Sequence, residues 1–536
     1  MNHLLLGLAA NPSLPSDLTD RLIAVTVAVA VAGTGTDADA DADADAEDDL
    51  AATLTCRTDL SRAQTLALAA RCDDDAARLV HGGGLTAADI DPAIRPRTAL
   101  ALLDAGTGPP EWARRFAEDA DAGRRRTLAS CPDLPPDVTE RLAADPDPDV
   151  VVELALFTTP EMATRLAGHP HAEVRRAVAA NEATPPAVLA ALAMGADAVP
   201  AERCLVCDRE EIPFVHDPHC PRPDCVLRAG ASCDGSHEST VYDTRQAALQ
   251  NPATPVEALT GFADHPSVLL RRELAARTGL LPQVCARLAT DPDPGVRGEL
   301  AGNASLGEPF IRALAADTGY DVRRRLLHHP HIPLDVLTQL ADLVRVGPTL
   351  LPRIATASAA ELADLSASPI AAVRLLPAER RDLPPAIRDA LAADPDAKVA
   401  KAVAPHPGLT DTQLRAMVTA HGIQVVAGVA ANPDASPTLL ADLARHSPPA
   451  RRALTAIARR ADAPAAALIA CLTDKKARRL AAGHPALPPS AMTGLLADDD
   501  SHVVEAAASN PSLPVGVMRE VVAREEARAA AAAGTG

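Results

Sequence analysis

Asp291-Pro292-Asp293-Pro294-Gly295-Val296-Arg297-Gly298-Glu299-Leu300-Ala301 writes one turn and one short helix in eleven residues. Asp before Pro opens the helix: its carboxylate accepts from free amides, and Pro in the first helical turn gives up no hydrogen bond. Val296 and Leu300 then fall four apart on one face. Asn251-Pro252-Ala253-Thr254-Pro255-Val256-Glu257-Ala258-Leu259 repeats the grammar, and its Asn and Thr are read as N-cap candidates in the same way.

Working outward from Leu300, the same apolar position returns about every 26 residues. Leu274, Leu300 and Leu326 keep the interval, as do Leu102, Leu128 and Leu154. The register continues through Leu376, Val403, Val429, Leu454, Leu480 and Ala507, and upstream through Val178, Leu68 and Leu8. With 48 Pro spread along the chain, no helix can run long, and helices of two to three turns do not stand alone. Each unit must therefore bury its apolar stripe against its neighbours, which is the physical definition of a solenoid. The expected fold is all-α: a right-handed superhelical array of about sixteen units, each a pair of short helices.

Composition narrows the function. One Trp, two Tyr and five Phe in 536 residues leave no rows of ring faces for stacking bases or sugars. A net charge of −20 repels phosphate backbones, so nucleic acid is disfavoured as a partner. No stretch approaches the roughly 20 apolar residues of a membrane span. Met1 to Ala10 lacks a basic leader and runs into Asn11-Pro12-Ser13-Leu14-Pro15, a motif that recurs far down the chain, so it is read as the first repeat and the chain as cytoplasmic.

His169-Pro170-His171-Ala172-Glu173-Val174-Arg175-Arg176-Ala177-Val178-Ala179-Ala180-Asn181 and Asp145-Pro146-Asp147-Pro148-Asp149-Val150 resemble the leucine-rich repeat variant family, bacterial arrays in the style of HEAT and armadillo repeats. The resemblance covers roughly residues 1 to 522. It implies a superhelix of helical segments without sheet, and one characterised type in that family carries an iron-sulfur cluster beside its repeats.

Two insertions interrupt the array. Residues 33–49 include the Asp-Ala alternation from Asp37 to Asp49, whose like charges and small side chains predict a solvated, flexible loop. After Met194 comes the larger insertion, which holds Cys204, Cys207, Cys220, Cys225 and Cys233 with His216, His219 and His237. In a reducing compartment such clustering reads as metal ligation before disulfides. Cys204 and Cys207 form a two-residue knuckle, and Cys220 and Cys225 can return a second pair; four thiolates at these spacings suit tetrahedral Zn2+. Cys233-Asp234-Gly235-Ser236-His237 resembles the tail of the CDGSH iron-sulfur motif, which implies Cys233 and His237 as alternative ligands. The Cys-x-Cys pair of that motif is not present, since four residues separate Cys220 from Cys225. Zinc and an iron-sulfur cluster both remain open, the latter also because several thiolates suit a four-iron centre. A closed zinc would fasten a loop that has no core of its own; an open one would use Glu210 or Glu211 as base.

Three residues before the apolar anchor stands Arg125, Arg175, Arg245, Arg271, Arg297, Arg323 or Arg451, and an acid lies six residues before several of these, as in Asp119, Asp291 and Asp317. HEAT-like arrays resemble this, and the pattern predicts a charge-assisted ladder between units. The alternative is a basic track for an acidic partner. The isolated Cys56, Cys72, Cys131, Cys285 and Cys471 are expected to be small buried fillers. His328-His329-Pro330-His331 could hold a metal adventitiously. No phosphate loop or nucleophile elbow is written anywhere.

The organisation expected is a repeat array over 1–194, a Cys-rich metal-binding insertion over 195–244, a second array over 245–520 and an Ala-rich tail over 521–536. No catalytic residues are assigned. The function expected is a non-enzymatic scaffold offering an extended surface to a protein partner; an iron-sulfur redox or regulatory protein is the second reading, and a HEAT-like DNA-repair or nucleic-acid-binding protein the third.

Overall fold

The computed structural model describes residues 3–32, 49–195, 201–204 and 237–533. They are helical with short turns, and the pairing of His171 with Arg203 is a single isolated bridge rather than a strand. The fold is an α-solenoid, as the period requires. Two compact units are present, one formed by Leu103–Ser358 and the other by Met1–Leu102 together with Ala359–Gly536. No helix among the described residues is long and apolar enough to cross a membrane.

Within the Leu103–Ser358 unit, helices Ala122–Ala129, Pro148–Phe157, Ala172–Ala180, Glu238–Gln250, Val268–Ala276, Pro294–Gly302 and Tyr320–Leu327 stack side by side in one row. The second helix of each pair forms a parallel row: Pro136–Ala143, Pro160–Leu166, Pro186–Met194, Pro282–Ala289, Glu308–Ala315 and Leu334–Leu343, with a 3-10 helix at Val256–Asp264. The anchors Leu128, Leu154, Val178, Leu274, Leu300 and Leu326 are buried between the rows. Burying a Leu or Val side chain contributes about 1.5–3 kcal/mol, which a short helix obtains only when the next unit covers it.

In the other unit the first row runs Ala371–Ala378, Ala397–Val403, Ile423–Ala430, Arg451–Ala458, Lys475–Ala482 and Ser501–Ala508, and then continues with His3–Ala10. The helix at the start of the sequence thus occupies the place that would follow Ser501–Ala508. Gly7 makes this approach possible: a Cβ there would stand 2.3 Å from the Glu505 carbonyl oxygen and 2.7 Å from the Ala508 Cβ. Gly428, four residues before Asn432 as Gly7 is before Asn11, sits against Ala404 in the same way.

Several expectations change. The anchor after Leu8 is Leu54, in the helix at 49–55, and not Leu68, which is buried in the second-row helix Arg62–Arg71. Leu480 is only half-buried, and Ala481 takes its place, because this unit is offset by one residue. Cys131, Cys285 and Cys471 are buried, but Cys56 and Cys72 are exposed, the latter accepting from the Asp75 amide at a helix start. Asp147, Asp293 and Thr159 do cap helices. The Asn residues do not: Asn181, Asn251 and Asn303 follow helix ends, where their side chains have other work.

Candidate metal centre and inter-repeat ladders

The described residues reach the Cys-rich insertion at its two edges. On the entry side, Arg203 lies along His171, with the Ala172 amide donating to the Arg203 carbonyl at 2.8 Å and the Glu202 amide to the Pro170 carbonyl at 2.8 Å. Those bonds hold Cys204 in a buried position beside the repeat. On the exit side His237 is buried and has a φ of 55°, a left-handed conformation that costs a non-glycine residue about 1 kcal/mol. Helix Glu238–Gln250 follows at once and stacks on Ala172–Ala180, where the Thr240 hydroxyl donates to Glu173 at 3.1 Å. Both candidate ligands therefore border one repeat. Cys207, Cys220, Cys225 and Cys233, with Glu210, Glu211, His216 and His219, lie outside the described residues. A buried thiol and a buried imidazole are donors that suit zinc or an iron-sulfur cluster, and the two described members of the set fit either.

The arginine stripe is a ladder. Arg297 grips the Asp317 carboxylate with two parallel bonds, Nε at 2.6 Å and Nη2 at 3.2 Å, and sends Nη1 to the Asp291 carbonyl at 2.7 Å. Arg125 with Asp145, Arg271 with Asp291 and Arg374 with Asp394 repeat the fork, each also holding the carbonyl six residues before itself. Arg478 pairs with Asp498. Where an acid stands six residues before the arginine, as Asp119 and Asp291 do, it gives its carbonyl, and the forked carboxylate comes from the Asp 20 residues after the arginine. Asp291 consequently joins two units, its carboxylate to Arg271 and its carbonyl to Arg297. The hydrogen bond from Arg297 keeps the Asp317 carboxyl below the ordinary carboxylate range despite its burial.

The stripe also has gaps. Arg451 is not a rung: it is highly exposed and comes no nearer than 3.9 Å to Asp474, because the ladder position of that unit, 20 residues before Asp474, is filled by Leu454. For Arg245 the residue 20 positions on is His265, and for Arg175 it is Gly195, at the start of the insertion. Arg175 donates to the His169 carbonyl at 2.5 Å, and burial pushes its pKa down. Arg245 instead lines an open depression of about 370 Å³ with Met194, Phe262 and His265.

A second ladder runs through the Asn residues that follow the first-row helices. Asn303 donates its side-chain amide to the carbonyls of Ala275 and Arg277 in the preceding unit, at 2.8 and 2.6 Å, and accepts the Ser305 amide. Asn251 does the same to Ala179 and Asn181, which joins the repeats on either side of the insertion. His329 and Arg277 stand at the same position and donate to the carbonyls of Asn303 and Asn251. In the other unit the rungs run from His406 through Asn432, Arg460, His484 and Asn510 to Asn11 and Arg57. His329 is thereby committed, since its other ring nitrogen accepts the His331 amide, and it has no lone pair left for a metal.

No family model matches the chain, and no curated protein matches it. A solved structure described as a leucine-rich repeat variant with a novel repetitive protein structural motif is similar over 50% of this chain and 87% of its own, at 19% identity and a TM-score of 0.28. The crystal structure of an engineered protein is similar over 72% of this chain and 97% of its own, at 16% identity and a TM-score of 0.08.

Proposed function

We propose that the chain is a member of the leucine-rich repeat variant family and acts as a non-enzymatic cytoplasmic scaffold, binding a protein partner along its stacked repeats, with a zinc-fastened insertion. The Arg–Asp fork carries the scaffold reading. The polar side chains that recur in register, Arg297 and Asp317 among them, are spent on joining one unit to the next, so the periodic chemistry holds a frame in shape. Recognition then falls to exposed residues that vary between units, such as Phe157, Tyr320, Ile370 and Ile423.

The zinc reading rests on the Cys204 knuckle and on the burial of that thiol against the array. Cys204, Cys207, Cys220 and Cys225 would hold the ion, whose contribution is to order a segment that has few apolar side chains of its own. An iron-sulfur centre is the second reading, favoured by one observation: His237, the last residue of Cys233-Asp234-Gly235-Ser236-His237, is buried at the edge of the repeats. In that case Cys233 and His237 enter the ligand set.

Two experiments test these readings. Anaerobically purified protein is analysed for zinc, iron and sulfide and its visible spectrum recorded; one colourless equivalent of zinc supports the first reading, brown protein with iron and sulfide the second. For the scaffold, a photo-crosslinking amino acid at Ile423 or Phe157 is activated in the cells that express the protein. A recurring protein adduct supports the reading; consistent absence of any adduct from exposed positions in both units overturns it.

A further inference from the structure

We propose a second metal site, unrelated to the cysteines, at the contact between the helix that begins the sequence and the repeat at its other end: His3, His502 and Glu505 form a binding site for a divalent transition-metal ion. Among the described residues this is where three such ligands converge, with their nearest ligand atoms all within 4.8 Å of one another.

The placement follows from the packing. Ser501–Ala508 puts His502 and Glu505 one turn apart on one face. His3–Ala10 crosses that face, and its approach is fixed by Gly7 against the Glu505 carbonyl, so His3, one turn before Gly7, is brought to the Glu505 side chain. His3 Nδ1 and Glu505 Oε2 are 3.0 Å apart, and the His3 and His502 rings meet edge to face at 5.7 Å. Ligands on a tetrahedral zinc at about 2.0–2.1 Å stand closer together than 4.8 Å. His502 is exposed and Glu505 half-buried, so side-chain rotation alone closes the gap. Two imidazoles and a carboxylate suit zinc and its neighbours in the transition series rather than calcium or magnesium. The exposed side of His502 leaves a fourth position for water.

An ion held there would tie His3–Ala10 to Ser501–Ala508 and stabilise that joint according to its concentration over its dissociation constant. The joint is made of residues about 500 apart in sequence, so the ion would act as a clasp on a contact whose closure is otherwise left to packing and hydrogen bonds.

The test uses the full chain, stripped with chelator and titrated with Co2+ and with Zn2+, beside His502→Ala. Exposure of His502 makes the variant foldable, and its metal-free melting temperature checks this. The expected result is one equivalent of cobalt in the parent, beyond any held by thiolates, whose d–d absorption grows in without sulfur-to-metal charge transfer and is absent from the variant. Zinc should raise the parent melting temperature, and the affinity governing that rise should fall at least about 100-fold in His502→Ala. Identical titrations of the two proteins, or only thiolate-type cobalt absorption in both, overturn the site. Neither outcome bears on the cysteine-rich insertion, whose thiolate spectrum is read separately in the same titration.

Discussion

The side-chain amide of Asn11 donates to the carbonyl of Asn510 at 2.7 Å, across 499 residues of sequence. It is the same bond that Asn510 makes to His484 and Asn432 to His406 between successive repeats. The array therefore treats Asn11 as the rung after Asn510. The same geometry is reached through Asn11-Pro12-Ser13-Leu14-Pro15 and Asn510-Pro511-Ser512-Leu513-Pro514, two identical pentapeptides.

Replacing Asn432 by Ala should destabilise its unit by about 2–3 kcal/mol, since two buried carbonyls and the Asp434 amide lose their partner together. Asn432→Asp should cost more, because a carboxylate cannot donate to either carbonyl and is buried as a charge. Asn432→His should cost least, as His484 and His329 already serve this position. Hydrogen exchange of Ala397–Val403 and Ile423–Ala430 is the suitable readout, because stacked repeats unfold locally and a single melting temperature blurs them.

Gly7→Val should open the contact between His3–Ala10 and Ser501–Ala508 and leave the remaining repeats folded. The added Cβ would meet a backbone carbonyl at 2.3 Å, an obstacle no rotamer relieves. Gly302→Ala serves as control: nothing lies within 4 Å of its added Cβ, and relief of glycine's backbone entropy should leave stability unchanged or higher by up to about 1 kcal/mol. Exchange of the amides in 3–10 and 501–508 measures the difference; equal protection in Gly7→Val and the parent would contradict the packing.

Arg297→Ala should destabilise the Leu103–Ser358 unit by about 2 kcal/mol, less than a fully buried pair would give, because the Arg297 side chain keeps 18% of its exposure. Arg297→Lys should recover only part of this, since an ammonium cannot make the fork. The acid response carries a sign. Asp317 is lowered in the folded state, so its contribution is present above the unfolded carboxylate value and lost as pH falls through the folded one. Urea denaturation against pH should therefore fall more steeply below the ordinary carboxylate range in the parent than in Arg297→Ala.

The residues that gave the fold away are those whose meaning is local: Pro and Asp at helix starts, and an apolar anchor about every 26 positions. Side-chain direction is not local. An Asp six residues before an Arg and another 20 after it look equally good in a linear reading, and only stacking brings the distant carboxylate round while the near one offers its carbonyl. Asn before Pro suits a cap and a rung equally in a linear reading; the interchange of Asn, His and Arg at that one position, as in Asn251, Arg277, Asn303 and His329, is the feature that separates them. His3 with Glu505 had no such clue, since nothing in a 26-residue period says that the array continues from 510 to 11. Of the candidate ligands that spacing suggests, Cys204 and His237 are placed beside one repeat, and the others lie outside the described residues.

His406 gives the array an acid-sensitive rung. It is fully buried, and neither ring nitrogen reaches a partner in good geometry. At His329 the second ring nitrogen accepts the amide two residues on, but here the Gly408 amide is taken by the Asp434 carboxylate at 2.5 Å. Burial, helped by the nearby charge of Arg381 and only partly offset by the Ala378 carbonyl, pushes the His406 pKa down to about 4. The unfolded chain binds this proton with a value near 6.5, so between the two values the unfolded state holds more protons. Stability is complete above about pH 6.5 and is lost as pH falls toward 4. The loss should amount to about 2 kcal/mol, below the full conversion of the shift because water reaches the protonated imidazole as the unit loosens. Asn at this position, the residue used at 432 and 510, does not titrate. His406→Asn should therefore match the parent within about 1 kcal/mol at pH 7.5 and exceed it at pH 5, as measured by urea denaturation of the two proteins at both pH values. An unchanged pH slope in His406→Asn would assign the acid sensitivity of this unit to its carboxylates instead.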